Sequence, residues 1–128
     1  VQVDISDLLG IRYKKNGRSL DGLDWIGLVI EVSKRFGHKL KDFEYKDASY
    51  MDFLKAKEAP SQFGNLIKAD RLEKAGDLIL FKVKCCFDTH IGVYLGDGKF
   101  IHCDFFGVRV QDLSEYEFEI GSVYKWQS

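Results

Sequence analysis

The spacing of the apolar residues changes midway along the chain, and this change constrains the fold more than any other feature. In the first half, a helical spacing begins after Asp24, a residue type that caps helix N-termini, and it joins Trp25, Leu28, Val29, Val32 and Phe36. The second half instead has short β-rich runs separated by turn residues, at residues 77–83, 90–95, 99–104, 108–111 and 122–126. Helical segments followed by consecutive strands predict an α+β fold, with a central buried helix packed on an antiparallel sheet.

Three further segments complete the predicted architecture. Residues 5–9 have apolar positions at helical spacing and stop at Gly10, which predicts a short opening helix. Residues 14–22 are polar and are expected to form a loop, whereas residues 48–57 are amphipathic and end before Pro60, which predicts another helix. No long linker, repeat or low-complexity tract interrupts the sequence, so we expect residues 1–128 to form a single domain.

Charge and composition exclude several functional classes. The formal net charge is −1 with both signs interspersed, so the chain lacks the basic footprint of a nucleic-acid binder. No stretch approaches the roughly 18 apolar residues of a membrane span, and residues 1–9 do not resemble a signal peptide. We therefore expect a cytoplasmic or virion-associated protein, although a removed leader is compatible with a chain that does not begin with Met. Three cysteines, Cys85, Cys86 and Cys103, argue against a disulfide framework.

Two histidines, His90 and His102, lie on consecutive predicted strands. Because side chains alternate between the faces of a sheet, the register of this hairpin decides whether the imidazoles meet. A two-residue loop would send them to opposite faces. A three-residue loop of residues 96–98, with Gly98 left-handed, would place His102 opposite Gly92 and make His90 its diagonal neighbour on the same face. We predict the three-residue loop.

Two other interpretations of these histidines stay open from the residues alone. Both are compatible with ordinary half-exposed strand positions. They are also compatible with a metal pair that includes Asp104 or Cys103, but no third ligand lies at a recognised metal spacing. We therefore expect no metal ion and no cofactor.

Several segments resemble, in order, the motifs of one family. They are residues 9–13 (LGIRY), 22–29 (GLDWIGLV), 76–81 (GDLILF), 89–96 (THIGVYLG) and 98–102 (GKFIH). The chain is identified by this resemblance as a member of the NlpC/P60 family, papain-like cysteine hydrolases that cut peptide bonds of the bacterial cell wall. The Gly-Leu-Asp form of the second motif is most like versions encoded with phage tail-assembly proteins. The resemblance covers almost the whole chain and implies a papain-like fold.

The resemblance also assigns roles to site residues. In the family, a cysteine at the start of the central helix is the nucleophile, because the helix N-terminus stabilises its thiolate. By resemblance, His90 is the base, His102 orients it and Tyr13 lines the site. Trp25 stands where the nucleophile is expected, and an indole has an N–H donor but no ionisable thiol.

The sequence therefore predicts a catalytically inactive domain that acts as a structural or peptidoglycan-peptide-binding module. Its expected partner is a cell-wall peptide or a protein, with a phage or prophage tail as one setting. The alternative is an active cysteine endopeptidase or amidase in which Trp25 is a variant or engineered position. Takeover by another cysteine is disfavoured, because alternation sends Cys103 to the face opposite His102, and Cys85 and Cys86 lack an activating helix N-terminus.

Overall fold

A computed structural model of the chain describes residues 3–42, 65–83, 87–116 and 119–127. The elements in these residues follow one another as β1 (Arg18–Ser19), β2 (Gly22–Leu23), α1 (Trp25–Arg35), β3 (Leu66–Ala69), β4 (Leu78–Val83), β5 (Phe87–Gly96), β6 (Lys99–Asp104), β7 (Gly107–Asp112), a 3-10 helix (Leu113–Glu115) and β8 (Glu119–Trp126). A helix followed by consecutive strands confirms the predicted α+β class. The helix predicted at residues 48–57 lies outside the described residues.

Helix α1 begins and ends at the residues that the sequence predicts. The Asp24 carboxylate accepts a hydrogen bond from the Gly27 N–H at 2.7 Å, which satisfies one of the free donors of the first turn. Phe36 is the C-cap, and Gly37 follows with a φ of 89°, a left-handed conformation that favours glycine. Because both ends carry local capping signals, the bounds of α1 are readable from the sequence.

The described strands β3 to β8 form a six-stranded antiparallel sheet in the order β3-β8-β4-β5-β6-β7. Helix α1 packs against β5 and β6 near its centre. Strands β1 and β2 form a separate small hairpin directly before the helix; residues 18, 19 and 22 of it were predicted to belong to a loop, so that prediction is wrong there. No helix among the described residues is long and apolar enough to cross a membrane.

The large sheet buries side chains on both faces. Between α1 and the sheet lies the helix-side cluster, to which α1 contributes Trp25, Ile26, Leu28, Val29 and Val32 and the strands contribute Leu78, Leu80, Ile91, Val93, Ile101 and Cys103. The alternating positions of the same strands form a second cluster of Ile79, Phe81 and Phe100, against which Leu72, Tyr94, Leu113 and Tyr116 pack. Strand alternation therefore gives the sheet two buried faces, and only one of them meets the helix.

The predicted opening helix is wrong. Residues 6–10 form turns, in which the Leu8 N–H donates to the Ile5 carbonyl at 3.0 Å. The segment then joins β7: the Gly10 N–H donates to the Val108 carbonyl at 3.0 Å, and the Val108 N–H donates to the Ile11 carbonyl at 2.9 Å. Backbone groups that a helix would pair internally are instead satisfied by a strand distant in sequence.

Candidate functional site

His90 and His102 meet on one face of the sheet, as predicted. Their Nε2 and Nδ1 atoms, respectively, lie 2.7 Å apart, and the two rings are nearly perpendicular at a centroid separation of 4.9 Å. His102 is completely buried, whereas His90 is partly exposed. The imidazoles therefore form a hydrogen-bonded pair with one member at the surface and one inside.

The hairpin loop that joins them differs from the prediction. Asp97 and Gly98 form a two-residue loop, both with positive φ, and Gly96 pairs with Lys99. The register then shifts at Leu95, an extra residue on β5 that has no pairing partner on β6. The predicted three-residue loop is wrong. The extra residue that was expected in the loop lies instead in β5, as a β-bulge at Leu95, and it has the same effect on the later pairing: both imidazoles lie on one face.

Gly92 on β5 lies close to β6, next to His102. A Cβ atom added to Gly92 would lie 3.4 Å from the Cβ of His102 and 3.1 Å from the Ile101 carbonyl oxygen. A side chain at this position would require its neighbours on β6 to shift by a few tenths of an ångström. Gly92 therefore permits the close approach that places His90 within hydrogen-bonding distance of His102.

Gln111 on β7 is the second partner of His102 and was missed by the sequence analysis. Its Oε1 lies within hydrogen-bonding distance of His102 Nε2. Arg109 is the residue opposite His102 in the β6–β7 pairing, and Gln111 is two residues further on the same face. The sequence signal that could have found Gln111 is the short loop at Phe105 and Phe106, because a two-residue loop fixes the register of β7 against β6 and so places Gln111 on the face of His102.

An aromatic surface encloses the imidazoles and keeps them neutral. The ring centroids of Phe100 and Tyr116 lie 4.8 and 5.2 Å from that of His102, and the centroid of Phe81 lies 6.0 Å from that of His90. Burial, followed by the proximity of His102, lowers the pKa of His90 to about 3. Burial also lowers the pKa of His102, so both rings are uncharged at neutral pH.

Trp25 is the first residue of α1, at the position that the family motif gives to the nucleophile. It is 7% exposed and belongs to the helix-side cluster. Beside it, the buried Asp24 carboxylate forms an ion pair with Arg18 at 2.7 Å. The structure thus brings the two histidines together and buries Trp25 at the start of α1.

Tyr13 also lies on the helix side of the sheet. It forms an isolated bridge with Leu23, two residues before Trp25, and packs against the helix-side cluster. Its ring meets the edge of Phe105 at a centroid distance of 4.9 Å, and Phe105 is 83% exposed. The bridge to Leu23 therefore places the Tyr13 backbone near the start of α1, and the Tyr13 ring contacts the exposed ring of Phe105.

Cys103 is a buried thiol on the opposite face from His102. Its Sγ donates to the Leu23 carbonyl oxygen at 3.2 Å. Burial, together with the nearby Asp104 and Asp24 carboxylates, raises its pKa to about 12, which keeps it protonated at neutral pH. Cys85 and Cys86 lie outside the described residues.

The described part of the chain contains no group of three or more His, Cys, Asp or Glu side chains arranged to hold a metal ion. Asp104, one of the two additional ligands in the metal interpretation of the sequence, pairs with Arg109 at 2.5 Å. On this face His102 pairs with His90 and Gln111, and Asp104 pairs with Arg109.

Comparison with known proteins places this geometry in context. Residues 10–121 match the model of the NlpC/P60 family. The chain is 26% identical over 112 residues to the murein DD-endopeptidase MepS/murein LD-carboxypeptidase of Escherichia coli (strain K12), with 86% of this chain and 52% of that protein covered. It is 25% identical over 111 residues to the probable peptidoglycan endopeptidase LytE of Bacillus subtilis (strain 168), with coverages of 87% and 28%.

A solved structure, that of NlpC2 from Trichomonas vaginalis, superposes with a TM-score of 0.61 and 28% sequence identity. The superposition covers 91% of this chain and 42% of that chain. The chain thus spans about half, or less, of the length of these three proteins.

Proposed function

This chain belongs to the NlpC/P60 family, and from that membership we propose that it is a non-catalytic domain that binds cell-wall peptides without cutting them. One observation carries the proposal. Trp25 is the first residue of α1, where the family's Asp-Cys-Ser-Gly motif has its nucleophile. Asp24 and Gly27 match the flanking residues of that motif, and both lie within the matched region 10–121.

The chemistry of the family requires a nucleophile at this position. A thiolate at the start of a helix is stabilised by unpaired N–H groups and the helix dipole, and it attacks the peptide carbonyl. The first turn of α1 keeps its capping aspartate, but the indole of Trp25 offers no electron pair that attacks a carbonyl at neutral pH. Peptide cleavage by the family's mechanism is therefore not expected.

The one cysteine among the described residues does not replace the missing thiol. Cys103 projects from β6 on the face opposite His102, and its Sγ donates to the Leu23 carbonyl. Its raised pKa, about 12, leaves almost no thiolate at neutral pH. A base must also lie within hydrogen-bonding reach of the nucleophile that it deprotonates. Alternation along β6 places the Cys103 thiol on the face opposite His102, out of reach of the imidazoles.

Cell-wall peptide is the ligand class that the relatives support, because the names of MepS and LytE both describe endopeptidases of murein or peptidoglycan. Beside the start of α1, Tyr13 and the exposed Phe105 supply an aromatic surface that a peptide can cover. Binding without cleavage needs such a surface and does not need a nucleophile.

Two measurements test the proposal. Incubation with purified cell-wall tetrapeptides is expected to give no more product with the wild-type protein than with His90→Ala. Calorimetric titration with the same peptides is expected to give binding that Phe105→Ala weakens. Ile67→Ala is the matched control, because Ile67 is an exposed apolar residue on β3, at the sheet edge opposite β7. Wild-type turnover that His90→Ala abolishes would refute the inactive assignment, and absence of binding would refute the ligand class.

An active cysteine endopeptidase or amidase is the second candidate, and the intact contact between His90 and His102 favours it. In that case Trp25 is a variant or engineered position. Turnover gained by Trp25→Cys, and lost again when His90→Ala is added, would support this candidate. A folded Trp25→Cys protein without turnover would support the non-catalytic domain.

A further inference from the structure

We infer that Gln111 is a positioning residue that fixes which nitrogen of each imidazole carries the proton, and thereby leaves the free lone pair of the histidine pair on His90 Nδ1. Gln111 lies outside the segments 9–13, 22–29, 76–81, 89–96 and 98–102 that carry the family resemblance. The inference concerns the proton positions in the site and holds whether or not the domain cleaves peptides.

Each ring nitrogen of His102 has one hydrogen-bonding partner within the protein. His102 is 0% exposed, so neither nitrogen has access to bulk water. Nδ1 faces His90 Nε2 at 2.7 Å, and Nε2 faces the Gln111 Oε1. A neutral imidazole has one N–H donor and one acceptor nitrogen, so one contact must take the proton of His102 and the other its lone pair.

Gln111 decides between the two arrangements. An amide oxygen only accepts, so His102 Nε2 must carry the proton that it donates to Gln111 Oε1. His102 Nδ1 then accepts, and His90 Nε2 must carry the proton of its own ring. Because His90 is neutral as well, its lone pair is left on Nδ1.

The opposite orientation of the Gln111 amide would reverse the whole chain of hydrogen bonds. An amide NH₂ donating to His102 Nε2 would force the proton onto His102 Nδ1, and His90 Nε2 would become the acceptor. The free group of His90 would then be an Nδ1–H donor. The two orientations thus predict opposite proton positions on both rings, which makes them distinguishable by experiment.

The experiment is a long-range ¹H–¹⁵N correlation spectrum of the full chain with ¹⁵N-labelled histidine at neutral pH. The chain has three histidines, and His38, which stacks on Trp126, serves as an internal reference. We expect Nε2–H with unprotonated Nδ1 for both His90 and His102. No substrate is added, so the result is independent of the activity and binding measurements.

Three variants isolate the role of Gln111. Gln111→Glu is expected to keep both tautomers, because a carboxylate only accepts, and Gln111→Leu is expected to give a mixture of tautomers at His102. Gln127→Leu removes an exposed glutamine near the C-terminal end and is expected to change neither ring. If Gln111→Leu does not fold, the comparison of wild type with Gln111→Glu still decides.

Three results would overturn the inference. One is Nδ1–H on His90 and His102 in the wild type. Another is a reversal of the tautomers in Gln111→Glu, since it would mean that the wild-type amide donates. The third is an unchanged single tautomer in a folded Gln111→Leu protein, which would show that Gln111 does not set it.

Discussion

Replacement of Trp25 by alanine tests whether this side chain belongs to the core or fills an open cleft. Trp25 is only 7% exposed and packs in the helix-side cluster. A buried tryptophan covers about 150–250 Å², which at roughly 25 cal/mol per Å² corresponds to about 4–6 kcal/mol. Alanine retains a small part of this, so we expect Trp25→Ala to lower the free energy of unfolding by about 3–5 kcal/mol.

The measurement is urea unfolding followed by far-ultraviolet circular dichroism. With an m value of about 2 kcal/mol per molar urea, the expected loss moves the midpoint down by about 1.5–2.5 M. Phe106→Ala is the control, because Phe106 is 84% exposed and its main contact is the Arg109 guanidinium, 5.2 Å from the ring centroid; it should cost less than about 1 kcal/mol. A Trp25→Ala protein as stable as Phe106→Ala would refute the burial argument.

Three further predictions follow from the same contacts. Burial lowers the pKa of His90 to about 3 in the folded protein, so as the pH falls the unfolded chain binds a proton at this imidazole first. The contribution of neutral His90 to stability is therefore complete above about pH 6.5 and declines at lower pH. Between about pH 6 and 4.5, the free energy of unfolding of the wild type should fall by up to about 2 kcal/mol more than that of His90→Gln. Cys103 should resist alkylation at mildly alkaline pH until urea is added, because its thiol is buried and has a pKa of about 12. Peptide mass spectrometry would detect the label, and rapid labelling of the native protein would contradict the burial of this thiol. Asp24→Ala should lower the free energy of unfolding by at least about 1–2 kcal/mol in thermal or urea unfolding, because it removes the N-cap of α1. The control Asp42→Ala removes an exposed partner of Arg18 and should lower it by less than about 1 kcal/mol. Equal losses would show that the cap does not stabilise the helix.

The elements predicted correctly are those whose signals are local. The bounds of α1 follow from Asp24 and Gly37, which act within one turn of the helix. The strands follow from alternation, and β6 has the bounds that the sequence predicts. The opening helix failed because Gly10 and Ile11 form hydrogen bonds with Val108 on β7, a partner nearly 100 residues away that no local pattern reveals.

The site divides in the same way. Sequence patterns alone determined that His90 and His102 lie on neighbouring strands, that Cys103 points to the opposite face from His102, and that an indole stands at the start of α1, because alternation and capping are properties of the chain itself. Only the tertiary structure decided that the Leu95 bulge brings the imidazoles together and that Gln111 faces His102. The physical reason is that register depends on hydrogen bonds between strands, where one inserted residue moves every later side chain to the other face. The protonation of the pair was likewise beyond the sequence, because a pKa is set by burial and neighbours that exist only once the sheet has formed.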